Sequence, residues 1–276
     1  MHIVPTNLLT VSIVVYRMGP AQLTQTLSSL LVALGQLDAA RPGQRSELWL
    51  IDNGDSPASL PVLDAFRAHG IDCIVMAGHG NVGYGRGHNL AIERVSSGYH
   101  LVLNPDIDLD ADALVAALDF LDAHPDVGLL SPRVEDADGH LQFLCRRYPA
   151  LLDLFVRGFL PRSLRQHFEA RLVRYEMRDR MTGTEVFRDP PIVSGCFMLF
   201  RTNTLKQLNG FDSRYFLYFE DYDLSLRAGK VARLAYVPAV RVVHHGGGAA
   251  RKGFAHIRMF AASAFKFYRR FGWRCW

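Results

Sequence analysis

The acids of this chain gather where apolar runs stop. Tyr99-His100-Leu101-Val102-Leu103 reads as a buried strand and runs into Asn104-Pro105-Asp106-Ile107-Asp108. In an open α/β sheet, ligands bind in the crevice beyond the carboxyl ends of the strands. Asp106 and Asp108, on alternate positions, could hold a divalent cation through oxygen ligands, and such a cation commonly bridges protein carboxylate to substrate phosphate. The alternative is that Asp108, Asp110 and Asp112 cap a helix opening at Leu109-Asp110-Ala111-Asp112, where carboxylates meet free N–H groups and the positive end of the helix dipole. A second acid group, Asp52-Asn53-Gly54-Asp55-Ser56, follows the strand Glu47–Ile51. A third, Glu220, Asp221 and Asp223, follows the aromatics Tyr215, Phe216, Tyr218 and Phe219, and an apolar wall beside carboxylates raises their pKa and suits general-base work. The same three acids would also be stable simply as the first turn of a helix. Late in the chain His244-His245 precede Gly246-Gly247-Gly248, and one of these histidines could complete an Asp/His metal set.

Between the third strand and the fourth lies Gly78-His79-Gly80-Asn81-Val82-Gly83-Tyr84-Gly85-Arg86-Gly87-His88-Asn89. Its literal Gly-x-Gly-x-x-Gly raises an NAD-dependent oxidoreductase as one reading. That fingerprint belongs to the first strand-helix turn of its fold, whereas here two strand-helix units come earlier. The glycines read instead as letting backbone approach phosphate or sugar, with Arg86 and Asn89 offering charge and hydrogen bonds near a helix start. A loop without a ligand is the remaining alternative.

The elements that must position these groups alternate. Leu9–Tyr16 is a β-branched central strand, Pro20 opens a helix with Leu23, Leu27, Leu30, Leu31 and Leu34 on one face, and Ser59–His69 is a second helix. Ile71–Met76 is a strand, a helix runs from about Gly87 to Val95, and another spans Ala113–His124 before a strand at Asp126–Ser131. Four strand-helix alternations with short links predict a mostly parallel sheet with right-handed crossovers. From Arg133 to Arg188 arginines interleave with Leu151, Leu152, Leu154, Phe155, Phe159 and Leu160, which reads as a helical insertion with a solvated arginine face or one meeting anionic lipid or substrate. Pro191–Arg201 and Val240–His244 read as further strands. Gly253–Arg270 is a basic amphipathic helix that could lie in a membrane interface or pack on its own domain.

Composition bounds the rest. The chain has 276 residues, 49% hydrophobic and 21% charged, which is an ordinary globular balance with room for a large core. A net charge of +4 permits an anionic ligand or a membrane surface but does not argue for nucleic acid. Cys73, Cys145, Cys196 and Cys275 show neither Cys-x-x-Cys pairing nor zinc spacing, so buried thiols in a reducing compartment are expected. With no signal-peptide pattern at Met1–Asn7 and no apolar run of roughly 18 residues, a cytoplasmic protein is expected.

Seven motifs taken in order resemble the family-two glycosyltransferases of GT-A fold, within them the bacterial rhamnosyltransferase-like branch that builds cell-surface polysaccharide. They are Val11–Tyr16, Ile51–Ser56, Asn81–Asn89, Leu103–Asp106, Ser194–Leu199, Gly210–Asp212 with Phe216–Leu224, and Val243–Gly248. The resemblance implies a GT-A nucleotide-diphospho-sugar transferase domain over 1–250, with a nucleotide-binding half of about 8–132 and an acceptor half of about 133–250, followed by a basic helix at 251–276. It implies that Asp52 with Asn53 meets the nucleotide, that Asn81, Gly83, Arg86 and Asn89 line the donor pocket, and that Asn104 and Asp106 also bind the donor. The family's Asp-x-Asp falls on Asn104-Pro105-Asp106, so Asn104 replaces the first aspartate and Asp106 is the surest ligand of Mg²⁺ or Mn²⁺, with His244 and then Asp108 beside it. Glu220-Asp221 matches the family's acid pair, Asp221 as general base. Ala249 and Ala250 stand where the family often has a hydroxyl residue after the glycines. The implied reaction is inverting transfer of L-rhamnose from dTDP-rhamnose to a glycan hydroxyl; the basic aromatic carboxyl end adds the expectation of a lipid-linked glycan acceptor and peripheral membrane contact, and the modest charge that of no nucleic acid. A non-catalytic sugar-nucleotide-binding protein is the other alternative.

Overall fold

Short apolar runs separated by helices of three-and-a-half-residue periodicity wind, in this computed structural model, into a sheet with helices packed on it. Residues 7–54, 60–181, 183–246 and 253–276 are described. In chain order the amino-terminal half is β1 (Asn7–Val15), α1 (Pro20–Ala40), β2 (Arg45–Asp52), α2 (Val62–Ala68), β3 (Asp72–Met76), α3 (Tyr84–Ile92), β4 (Tyr99–Leu103), β5 (Ile107–Leu109), α4 (Ala113–Ala123), β6 (Val127–Glu135) and β7 (Leu141–Gln142). The remainder is α5 (Leu151–Phe159), α6 (Arg162–Arg165), α7 (Glu169–Tyr175), β8 (Phe187–Arg188), β9 (Phe197–Arg201), α8 (Thr202–Gln207), α9 (Glu220–Ala228), β10 (Arg233–His244) and α10 (Phe254–Phe271).

The sheet order is β3-β2-β1-β4-β9-β6-β10-β5. Pairs β3–β2, β2–β1 and β1–β4 are parallel, as the alternation predicts. Beyond β4 the sheet is mixed: β9 runs antiparallel to both β4 and β6, β10 is parallel to β6, and β5 closes the edge antiparallel to β10. The two antiparallel steps around β9 restore the direction, so β4 and β10 end at the same edge. Leu9, Val11 and Ile13 of β1 pack with Leu27, Leu30 and Leu34 of α1 and with Leu114 and Leu118 of α4, all essentially buried.

Three segments differ from the sequence expectation. Residues 107–109 form strand β5 and not a helix start, because Ile107 and Leu109 alternate inward about Asp108, a period of two. Neither Asp108 nor Asp110 caps α4: Asp110 pairs with Arg241 at 3.4 Å, and Asp112 stands at the N-cap without a side-chain cap bond. Helix α3 begins at Tyr84, three residues before the expected Gly87, its first turn closed by Gly87 N–H donating to Gly83 O at 3.1 Å. The arginine-laced segment begins as the end of β6 and becomes helical only at Leu151; its arginines pair with acids of the same segment, Arg171 with Asp153 at 2.5 Å, Arg157 with Glu176 at 3.0 Å and Arg147 with Asp179 at 2.8 Å.

Candidate active site

The sheet register brings the sequence's chemical groups to one edge. At the end of β2, Asp52 is 8% exposed and its Oδ1 accepts from Gly54 N–H at 2.9 Å. Buried Asn53 donates from Nδ2 to Gly83 O at 2.9 Å, and its Oδ1 lies 3.0 Å from His79 Nε2. Asn81 Oδ1 accepts from Gly83 N–H at 3.0 Å. The turn at 79–83 is therefore braced to the end of β2. Asp55 and Ser56 lie outside the described residues, as do Gly247, Gly248, Ala249 and Ala250.

The glycines of the 78–89 stretch do something other than the expected cradling. Gly83, at φ +91°, presses on the 216 peptide: a Cβ there would stand 2.3 Å from Phe216 O. Gly85 and Gly87 likewise leave room for Phe211 and Val14, whose atoms would lie 2.8 Å from an added Cβ. Close packing on the 211–216 segment for Gly83 and Gly85, and on strand β1 for Gly87, accounts for these three. Arg86 and Asn89, expected in the donor pocket, are bound elsewhere: Arg86 Nε donates to Ser213 O at 2.5 Å, while Asn89 donates to Phe211 O at 2.8 Å and accepts from Phe211 N–H at 2.9 Å. They tie α3 to the turn before the acid pair.

Asn104 N–H donates to Cys196 O at 2.9 Å, which seats the end of β4 beside the start of β9. Two residues on, Asp106 Oδ2 lies 3.5 Å from His244 Nε2. Burial opposes ionisation of Asp106, but the His244 ring and the Asn104 side chain outweigh it and hold the carboxyl below its ordinary range. Gln142, which sequence reasoning missed, fixes the ring. Its Nε2 donates to His244 O at 3.2 Å, so its Oε1, 3.1 Å from His244 Nδ1, must accept from that nitrogen. The proton on Nδ1 is thereby fixed in place, and Nε2 is the ring nitrogen that faces Asp106. The missed signal was the antiparallel register of Gln142 on Val134, which no local pattern announces.

Asp108, expected as a third metal ligand, turns away from this pair. Its Oδ2 accepts from Gln25 Nε2 at 2.5 Å and sits 2.7 Å from His245 Nε2. The donor chemistry still fits a divalent cation at Asp106 and His244. Asp106 Oδ1 is buried without a hydrogen-bond partner, and an added Cβ on Gly246 would stand 2.0 Å from Asp106 Oδ2, so that space exists only because the residue is glycine. Asp108 Oδ1 is also buried and unpartnered. Asp136, Asp138 and His140 are the one group of three ligand-type side chains found within 4.8 Å of each other among the described residues. They belong to an exposed turn in which Asp136 Oδ1 already accepts from the backbone of both partners.

The acid pair faces the same edge. Asp221 Oδ2 accepts from Gly195 N–H at 3.0 Å and Oδ1 from its own neighbour's N–H at 2.9 Å, so the carboxylate is fixed in orientation. Tyr84 donates to Gly195 O at 2.6 Å. Burial first, and then the charges of Glu220, Asp221 and Asp106 among others, push the Tyr84 phenol well up, so one hydroxyl senses all three carboxylates. Cys196, pushed up to about 12 chiefly by burial, also feels both Asp106 and Asp221. Burial raises Asp221 itself against the two backbone N–H groups that favour its charge. Glu220, 5% exposed and with Oε2 unpartnered, is raised further by burial and by the Asp221 charge. Asp223 serves the packing of the helices instead, since it is fully buried and binds Arg227 at 2.5 Å and Arg270 of α10 at 2.7 Å.

A strained turn aims the pair. Tyr218 and Phe219 both take left-handed backbone, φ +70° and +64°, costly for bulky residues and held only by surrounding structure. That structure is α10: Ser263 Oγ donates to Leu217 O at 2.8 Å, Tyr218 Oη meets His256 Nδ1 at 2.8 Å, and Phe219 packs on Phe260 and Phe267. The four aromatics expected as a wall beside the acids thus divide, Tyr215 and Phe219 turning into α10 while Phe216 stays 37% exposed.

Comparison with known proteins gives the family and the fold. The sequence model of one family, Glycosyl transferase family 2, matches residues 10–208. The chain is 29% identical over 287 residues to the N-acetylglucosaminyl-diphospho-decaprenol L-rhamnosyltransferase of Mycobacterium tuberculosis, covering 97% of this chain and 87% of that protein. It is 27% identical over 203 residues to the rhamnosyltransferase WbbL of Escherichia coli K12, covering 69% and 72%. Among solved structures, S. aureus TarS 1-349 superposes with a TM-score of 0.57 at 16% identity, over 93% of this chain and 65% of that one. GalNAc-T7, solved with UDP, GalNAc and Mn²⁺, superposes with a TM-score of 0.58 at 15% identity, over 87% and 43%. The fold is the GT-A fold of these neighbours, and the chain belongs to glycosyl transferase family 2.

Proposed function

We propose that this glycosyltransferase transfers a sugar, L-rhamnose from dTDP-rhamnose, with inversion onto a hydroxyl of a lipid-linked glycan in cell-surface polysaccharide synthesis, working at the cytoplasmic side of a membrane. The observation that carries the reading is the convergence on one sheet edge of an ionised Asp106 facing His244 and an oriented Asp221 of raised basicity. Both named relatives are rhamnosyltransferases, one of them acting on a lipid diphosphate-linked sugar.

Asp106 and His244 would hold Mg²⁺ or Mn²⁺, which when bound neutralises the departing nucleoside diphosphate. Asp52, Asn53 and Asn81 shape the nucleotide end of the crevice. Asp221 accepts the proton of the acceptor hydroxyl as its oxygen attacks the sugar from the face opposite the leaving diphosphate. Two backbone N–H groups hold Asp221 in place while burial keeps it a stronger base than an ordinary carboxylate. Neutral Glu220 beside it spares the pair a second charge.

The test is Asp221→Asn. It keeps the shape and should lower transfer by a factor of roughly 10² to 10⁴, while dTDP-rhamnose with Mn²⁺ still raises the melting temperature as in the parent. Parental turnover in that variant would overturn the assignment of the base. A thermal shift with NADH and none with any nucleotide sugar would favour the oxidoreductase reading, and donor binding without turnover in the parent would favour a binding protein.

A further inference from the structure

Helix α10 has two faces with different fates. Its inner face, Ala264, Phe267 and Tyr268, is buried against Tyr215 and Phe219. Its outer face carries Phe254, Ile257 and Phe265, 75%, 42% and 55% exposed, on a stripe of helical spacing. The stripe continues into the tail, where Trp273 lies edge-on to Phe265 with ring centroids 5.8 Å apart. The tail then joins a second helix: Arg274 O accepts from Leu151 N–H at 2.8 Å and Cys275 O from Leu152 N–H.

Helix α5 repeats the pattern. Asp153 and Val156 turn inward, whereas Leu151, Phe155 and Phe159, at i, i+4 and i+8, are 37%, 54% and 57% exposed, with the two phenylalanine rings stacked. An apolar ribbon of this length is unusual on a solvent-exposed surface. Cations flank it: Arg258 and Arg269 on α10 have no acid partner among the described residues, and Arg274 lies over the Tyr148 ring at 4.6 Å. Free cations beside exposed Phe and Trp match the chemistry of an anionic lipid interface, with rings at the headgroup boundary and guanidinium groups on phosphate. No described helix is long and apolar enough to cross a membrane.

We propose that the outer faces of α5 and α10, with the Trp273–Trp276 tail, dock on an anionic bilayer. The proposal rests on the lipid-linked acceptor in the functional reading above and deepens it. Because the inner face of α10 holds the strained Tyr218–Phe219 turn, docking would set Asp221 at a fixed place relative to the membrane, where a lipid-borne hydroxyl arrives.

The experiment is co-sedimentation of the full chain with phosphatidylcholine vesicles and with vesicles containing about a third phosphatidylglycerol, run without donor or acceptor. Binding should be at least about tenfold tighter to the anionic vesicles and should weaken as salt is raised. Trp49 is 8% exposed, so a blue shift of tryptophan emission on binding reports Trp273 and Trp276. Phe155→Ser with Phe159→Ser should weaken vesicle binding by roughly tenfold or more, and Arg258→Glu with Arg269→Glu by roughly fivefold for each arginine. All four positions are surface sites, so melting temperature and transfer to a water-soluble acceptor should stay near parental. Absence of vesicle binding, equal binding to both vesicle types, or a dimer in sedimentation velocity that Phe155→Ser with Phe159→Ser dissolves would each overturn the proposal. Transfer to a soluble acceptor without vesicle binding would overturn the docking alone, whereas failure of the functional reading shows as loss of donor binding and transfer whatever the vesicles do.

Discussion

At the scale of single residues, Gln142 shows how a neutral side chain governs a charged site. Its amide cannot be turned over, because only its nitrogen can satisfy His244 O. The carbonyl that remains holds His244 Nδ1–H and leaves Nε2 facing Asp106, where the proposed cation would bind. Partners of this kind typically govern metal affinity by roughly 10-fold to 100-fold. Gln142→Leu should therefore weaken Mn²⁺ binding by about that range, followed by electron paramagnetic resonance with nucleoside diphosphate present, while the melting temperature changes little because Gln142 is half-buried at a sheet margin. Gln142→Glu keeps the acceptor on Nδ1–H and should recover part of the affinity. If leucine and glutamate bind Mn²⁺ as the parent does, Gln142 does not orient the ring.

At the scale of elements, the α3 junction shows which parts of the sequence speak locally. The strands β1 to β4 and their helices were legible because each carries its own period and short links leave few topologies open. That Asp106, Asp221 and His244 stand just past a strand, in the first turn of a helix and at the end of a strand was legible because element ends are visible in the pattern. Asp108 was not placed correctly, since its partner His245 is 137 positions away and the antiparallel pairing of β5 with β10 leaves no local trace. The glycines misled for a similar reason: a turn that presses on Phe216 and a turn that cradles phosphate have the same composition. Gly80 and Gly83 separate the two causes. Both have left-handed φ, +67° and +91°, but an added Cβ meets nothing within 4 Å at Gly80 and lies 2.3 Å from Phe216 O at Gly83. Gly80→Ala should cost about 1 kcal/mol from backbone strain alone. Gly83→Ala should cost roughly 3 kcal/mol or more, because the peptide ahead of Glu220 must also move, and transfer should fall with it. Equal melting temperatures for the two variants would show that the Phe216 contact is not tight.

At the scale of the whole molecule, buried titratable groups tilt stability with pH in opposite directions. On the acid side, His100 bridges Thr10 and Ser12 at 2.7 and 2.8 Å, and Ser12 also meets His88 at 2.8 Å, a polar seam between β1, β4 and α3. Burial, with a small push from Lys206, lowers His100 from 6.5 to about 3, and burial with the His100 charge lowers His88 well below 6.5. Above 6.5 these rings are neutral folded or unfolded and contribute no pH dependence. Below it the unfolded chain takes up their protons first, so stability falls with falling pH, by roughly 1.4 kcal/mol per pH unit for each ring still neutral in the fold. On the other side, Glu220 is raised from 4.5 to about 8 by burial and the Asp221 charge. Between those values the unfolded chain releases a proton that the folded chain keeps, so this group lowers stability as pH rises and stops doing so above about 8. Glu220→Gln removes that second slope. Relative to the parent, its urea midpoint should climb as pH is raised from 4.5 towards 8 and then level, whatever constant offset the amide introduces. His100→Gln should do the converse, starting lower at neutral pH and losing less on acidification. A Glu220→Gln difference that is flat across the same range would mean that Glu220 is ionised in the folded enzyme, so that the base proposed at Asp221 would work beside a charge and not beside a neutral acid.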